Sequence, residues 1–154
     1  MKYLTIFALI LSLAACARAP QLKTLRFAAI EAQATYRGKA VLTSLPPVIL
    51  ESGAVLLGGR ALISLVDYDE ETLAFYFTIA NTSQTDILDF DMDADITITA
   101  QNGARLEGAA RADKAEVLPN TAAGKVAFFK KIPSAQYKVN FKSGGEVYTI
   151  TYDN

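Results

Sequence analysis

The sequence predicts an all-β chain folded as an antiparallel β-sandwich, and three observations lead there. Leu73, Phe75, Phe77 and Ile79 alternate with Ala74, Tyr76, Thr78 and Ala80, so an extended segment has one wholly apolar face. A two-residue turn at Gly144-Gly145 pairs Phe141 with Tyr148, Val139 with Ile150 and Tyr137 with Tyr152 on one side. The other side pairs Lys142 with Val147, Asn140 with Thr149 and Lys138 with Thr151, so both strands sort their apolar residues alike, as a half-buried hairpin requires. From Arg60 onward, short alternating segments recur between turn signals with almost no helical period.

Taken in order, the chain opens on MKYLTIFALILSLAAC, in which Lys2 precedes an apolar run from Leu4 to Ala15. That run is shorter than the roughly 20 residues a bilayer core demands, and it has the proportions of a secretory signal. Leu13-Ala14-Ala15-Cys16 resembles the bacterial lipobox. The resemblance implies cleavage between Ala15 and Cys16, a diacylglyceryl thioether on Cys16 and an acyl chain, such as palmitate, on the new amino terminus. Several chains together give stable anchoring where one would not. Ala17 follows where an inner-membrane retention signal would place Asp, so the implied destination is the outer membrane, facing the periplasm.

Residues 16–59 read as the lipidated terminus and a tether with a candidate leading strand. Leu22, Leu25, Ala29, Ala32 and Tyr36 recur at helical spacing, and extended chain from Thr24 to Tyr36 competes with that helix. Val48–Leu50 and Ala54–Leu57 are apolar enough for early strands. Pro46-Pro47, Glu51 and Arg60 exclude a membrane span from Ala40 to Val66.

Residues 60–154 hold the sandwich. Besides the strand around Phe75, Ile96 to Ala100, Val126 to Phe129 and Tyr137 to Phe141 read as strands. Asn102-Gly103 signals a turn, but a two-residue loop there sets Ile98 against Glu107 and Thr99 against Leu106. A bulge or a longer loop must shift that register, or the segments do not pair.

Asn81-Thr82-Ser83 closes the first strand, Leu118-Pro119-Asn120 leads through Gly124 and Val126 to Phe128, Ile132-Pro133 follows, and Tyr137-Lys138-Val139-Asn140-Phe141 comes last. This order resembles the immunoglobulin-like domains of small bacterial lipoproteins and exported proteins. The resemblance covers residues 60 to 152 and implies an immunoglobulin-like sandwich. Asn120 stands where such domains often have glycine, and asparagine tolerates positive φ better than most residues.

Composition narrows the chemistry. The 154 residues are 51% hydrophobic and carry a net charge of −1, which gives no electrostatic footprint for nucleic acid. There is no histidine and one cysteine, so a Ser-His-Asp or Cys-His catalytic unit, a histidine-ligated metal and an internal disulfide are all excluded within this chain. The reading is therefore of a non-enzymatic protein without a cofactor beyond its lipid.

Two charge constellations stand out. Asp67, Asp69, Glu70, Glu71, Asp86, Asp89, Asp91, Asp93 and Asp95 lie within one stretch that has no lysine or arginine. Asp89, Asp91, Asp93 and Asp95 alternate with Phe90, Met92 and Ala94, which on a strand gives a shared carboxylate face. The simplest reading is a solvated face that discourages edge pairing; the alternatives are a Ca²⁺ site and a glycosidase carboxylate pair. Later, Lys125, Lys130, Lys131, Lys138 and Lys142 stand among Phe128, Phe129, Tyr137 and Phe141. Alternation explains them as the wet side of inward-facing aromatics, with contact to an anionic lipid or glycan as the rival.

The expectation is an outer-membrane lipoprotein whose sandwich binds an envelope protein through a sheet edge or end loops. An inhibitor or protective factor against a lytic enzyme or phage is the alternative, and a Ca²⁺-dependent glycan binder a third.

Overall fold

The computed structural model describes residues 22–34, 45–91, 96–109, 114–143 and 146–154. Among the described residues thirteen strands run in chain order: β1 (Lys23–Thr24), β2 (Arg26–Ala34), β3 (Val48–Ile49), β4 (Val55–Leu57), β5 (Ala61–Asp67), β6 (Thr72–Asn81), β7 (Leu88–Asp91), β8 (Thr97–Ala100), β9 (Gly108–Ala109), β10 (Lys114–Val117), β11 (Thr121–Lys130), β12 (Gln136–Ser143) and β13 (Glu146–Asp153). Among the described residues there is no helix, and so none that is long and apolar enough to cross a membrane.

Every pairing is antiparallel. One sheet has the order β3-β4-β5-β6-β11-β9, with β1 on the remaining edge of β5; the other has the order β2-β13-β12-β8; β7 and β10 form a separate two-stranded ribbon. Within this, β5-β6-β11-β9 and β8-β12-β13 reproduce the four-plus-three strand order of an immunoglobulin-like sandwich. The protein is all-β, as its alternation predicts.

The core follows from period two. Leu73, Phe75, Phe77 and Ile79 of β6 point inward, as do Tyr137, Val139 and Phe141 of β12 and Tyr148, Ile150 and Tyr152 of β13. The β12–β13 register pairs Phe141 with Tyr148, Val139 with Ile150 and Tyr137 with Tyr152, as the hairpin argument requires. The Phe141 ring stacks on Tyr148 at 5.0 Å and meets Phe77 at 5.8 Å and Phe75 at 6.3 Å, so it joins the two sheets.

The Asn102-Gly103 register resolves into a three-residue loop. Gly103 donates to the Ala100 carbonyl at 2.9 Å with φ of 85°, and Ala100 donates to Ala104 at 2.8 Å. A third residue with positive φ closes such hairpins, and glycine supplies it without steric cost. The shift brings Leu106 opposite Ile98, where its amide donates to the Ile98 carbonyl at 2.9 Å and both side chains are buried.

Asn120 has φ of 56°, alone among the described non-glycine residues, and Thr121 donates back to the Leu118 carbonyl at 3.2 Å. Proline followed by a residue of positive φ is the pattern of a type II turn, so asparagine serves here. Opposite lies Asn81, the one buried polar residue among those described. Its Nδ2 donates to the carbonyls of Asp86 at 2.7 Å and Val117 at 2.8 Å, and its Oδ1 accepts from the Ser83 amide at 3.0 Å. Asn81 thus ties the β6–β7 connection to the end of β10. Its role in Asn81-Thr82-Ser83 is structural.

The N-terminal boundary differs from the sequence expectation. Residues 16–59 are not a tether throughout, since β1 to β4 fall within them and the sandwich starts at Lys23 rather than Arg60. Leu25 is buried in the core and its amide donates to the Leu65 carbonyl at 2.8 Å. Extended chain therefore replaces the helical alternative for 24–34, while Tyr36 lies outside the described residues. β2 pairs along β13 from Ala34↔Glu146 to Arg26↔Asp153, with a register shift where Ala28 is left unpaired.

Of the three buried tyrosines of the β12–β13 hairpin, Tyr137 and Tyr152 differ in one respect. Tyr137 donates its hydroxyl to the Ile132 carbonyl at 2.7 Å. The Tyr152 hydroxyl is buried with no hydrogen-bond partner among the described residues, and burial pushes its pKa above the ordinary tyrosine value. Leaving a buried hydroxyl unpaired costs about 1–3 kcal/mol. Tyr152→Phe is therefore expected to keep or raise thermal stability, by about 1 kcal/mol, whereas Tyr137→Phe lowers it. A Tyr152→Phe chain that melts several degrees below wild type would refute this.

Candidate interaction face

The outward face of the larger sheet is built from cross-strand rows. Val48, Leu56, Leu62, Thr78 and Gly124 form one row; Ser64, Tyr76 and Val126 form the next; Val66, Ala74 and Phe128 form the third. No residue in these rows is charged. A sheet with one face on the core ordinarily alternates apolar residues with polar or charged ones facing water. Here both alternating sets of β5, β6 and β11 are largely apolar along the middle of the sheet. Large side chains nonetheless reach solvent on the outward side: Val126 is 42% exposed, Phe128 39% and Leu62 37%.

Charge gathers at the two ends of this face. Arg60 precedes β5 at one end, where its carbonyl accepts from Ala80 at 2.9 Å. At the other end, the exposed Tyr68 ring meets Phe128 edge to face at 5.4 Å. Beside it opens a shallow cleft of about 440 Å³ lined by Glu71, Thr72, Glu107, Gly108, Phe128 and Lys130, with Phe129 beneath. A Cβ on Gly108 would lie 2.5 Å from the Phe129 ring, so glycine is what lets β9 approach β11. The Glu71 amide and Thr72 hold the Asp69 carboxylate, and these hydrogen bonds lower its pKa. Lys131 is taken up by Asp67, with Nζ–Oδ distances of 2.6 and 2.7 Å.

The acidic run divides in space. Asp67, Asp69, Glu70 and Glu71 flank the β5–β6 turn, whereas Asp86, Asp89 and Asp91 follow the far end of β6. Ten residues of strand separate the two groups by about 30 Å. In register Asp89 stands opposite Glu116 and Asp91 opposite Lys114; Asp93 and Asp95 lie outside the described residues, as do Ala15 and Cys16. Among the described residues no three carboxylates converge as a metal site would need. The lysine–aromatic segment also divides. Phe129, Tyr137 and Phe141 are core and Lys138 is exposed on the outside of β12, while Phe128 belongs to the uncharged face.

Sequence reasoning sought contacts at sheet edges and end loops, and the outward set Leu62, Tyr76, Val126 and Phe128 escaped it. The signal was present: Ala61–Val66, Thr72–Ala80 and Val126–Phe129 contain no charge in either alternating set.

Compared with protein-family models, curated proteins and solved structures, the chain matches none.

Proposed function

We propose that this chain is a lipid-anchored, non-enzymatic interaction module of the bacterial outer membrane, docking a protein through the outward face of its larger sheet. The observation that carries the reading is that face: apolar and uncharged in the middle, aromatic at one end, with charge confined to its ends. Depletion of charge at the centre, enrichment in aromatics and a polar rim are the anatomy of a protein–protein contact. The docking surface thus moves from the edges and end loops to a sheet face. The anchor rests on Leu13-Ala14-Ala15-Cys16, where a diacylglyceryl thioether on Cys16 and an N-acyl chain would hold the module at the periplasmic side.

Two measurements test this. The full chain expressed in a Gram-negative host incorporates labelled palmitate, and Cys16→Ser abolishes the label; a variant that is still labelled would overturn the anchor. Reversible crosslinking of membranes carrying the full chain yields a discrete protein adduct, and the absence of any adduct would overturn the docking role.

A further inference from the structure

β6 pairs with β5 along its whole length, so β1 and β4 share the other edge of β5 end to end, with β3 outermost. The two ends meet directly: a Cβ on Gly53, in the β3–β4 turn, would lie 2.9 Å from the Thr24 side chain. Along this edge stand Leu22, Leu45, Val48, Ile49 and Leu50, five of the eleven exposed large hydrophobics among the described residues, with Ile49 the most exposed at 59%. Leu45 lies against Gly59 at one end and Leu22 precedes β1 at the other, so the strip follows β5 for about 20 Å. Residues 22–25 and 45–57 carry one charge of each sign, Lys23 and Glu51.

The shape, composition and place of this strip select its occupant. Strand addition fails, because β3 is two residues long, with Pro46-Pro47 before it and a turn after it. A strip about 20 Å long and about 10 Å wide offers on the order of 200 Å², far below the roughly 800 Å² per partner of a specific protein contact. Its side chains are aliphatic, whereas the anchors of protein contacts are enriched in Trp, Tyr and Arg. A bilayer demands neither area nor shape fit when a lipid already holds the chain, and binding grows with each apolar side chain buried. The bilayer is also within reach, since seven residue steps from Cys16 to Lys23 span at most about 25 Å and Leu22 lies on that stretch. Asp69, Glu70 and Glu71 on the β5–β6 turn turn that end away from anionic lipid and leave the edge as the contact.

We infer that the edge formed by Leu22, Leu45, Val48, Ile49 and Leu50 lies in the interfacial layer of the bilayer, an inference that rests on the Cys16 anchor proposed above. The outward face of the larger sheet then stands upright from the membrane, open to a protein. For the test, the full chain is acylated in a Gram-negative host, purified from its membranes and reconstituted into vesicles of phosphatidylcholine brominated on its acyl chains. The sequence has no tryptophan, so Ile49→Trp introduces a single emitter. Interfacial side chains sit about 5–10 Å deep, so its fluorescence is expected to shift to the blue and fall about twofold relative to unbrominated vesicles. Leu118→Trp, comparably exposed but just before β11 on the far side of β6, is expected to keep its intensity. Val48→Trp gives a second reading if Ile49→Trp folds poorly. Unquenched emission from both edge variants, in chain that floats with the vesicles, would overturn the bilayer contact and leave the anchor standing. A blue shift without quenching would put a second copy on the edge, and equal quenching at position 118 would mean that no edge is preferred; either would overturn the inference. Chain that does not float with the vesicles would overturn both the contact and the anchor.

Discussion

Chain beginning at Arg60 is expected to show no cooperative thermal unfolding, whereas chain that includes residues 22–59 melts in a single transition. The cause is what 22–59 contributes, in which Val55 and Leu57 of β4 are fully buried core residues. Leu25 is buried among the core side chains, and truncating a buried leucine to alanine alone costs about 2–5 kcal/mol. Phe27, Ile30 and Ala32 pack against the core from β2, and Phe27 meets the Tyr152 ring edge to face at 6.4 Å. Without β2, the strand carrying Tyr148, Ile150 and Tyr152 becomes an unpaired edge along its whole length. These losses together rival the 5–15 kcal/mol by which domains are ordinarily stable. A sigmoidal melt of the 60–154 fragment near the transition of the longer chain would show that the first four strands are dispensable.

Phe141→Ala is expected to cost about 3–5 kcal/mol, which for a domain of this size lowers the melting temperature by roughly 10–20 °C. Phe141 is fully buried and its ring touches Phe75 and Phe77 of the facing sheet as well as Tyr148 of its own. The loss therefore combines transfer of a whole ring with a cavity between the sheets. Lys138→Ala on the wet side of the same strand serves as control, with a change within about 0.5 kcal/mol. Equal effects from the two variants would mean that Phe141 does not bridge the sheets.

Legibility in the sequence tracked how local the determinant was. The β12–β13 hairpin could be read because its register follows from one turn and one sorting of apolar residues, both within eighteen positions from Gln136 to Asp153. The loop at Gln101–Gly103 was only half legible: the mismatch of Ile98 with Glu107 showed that the register had to shift, and the fold supplied the direction. β2 was ambiguous because RFAAIEAQA is rich in alanine, which favours helix, and its apolar residues fall at helical spacing by coincidence. Its strand state comes from β13, more than a hundred residues away, which no local pattern reports. The acidic segment misled in a related way, since neighbours along the chain were placed at opposite ends of β6. The outward face was hidden because alternation identifies the buried side of a strand and says nothing of how its wet sides add up across a sheet.

The first strand starts at Lys23, in register with Asp67, which bears on how far the proposed anchor would let the domain travel. Were Cys16 lipidated as proposed, seven residue steps would separate it from Lys23, a reach of at most about 25 Å. A domain so anchored would pivot in place rather than sweep the space beside the membrane, and would meet only what comes close to the lipid. Because Lys23 pairs with Asp67, the Tyr68–Phe128 end of the uncharged face would then lie nearer the anchor than the Arg60 end.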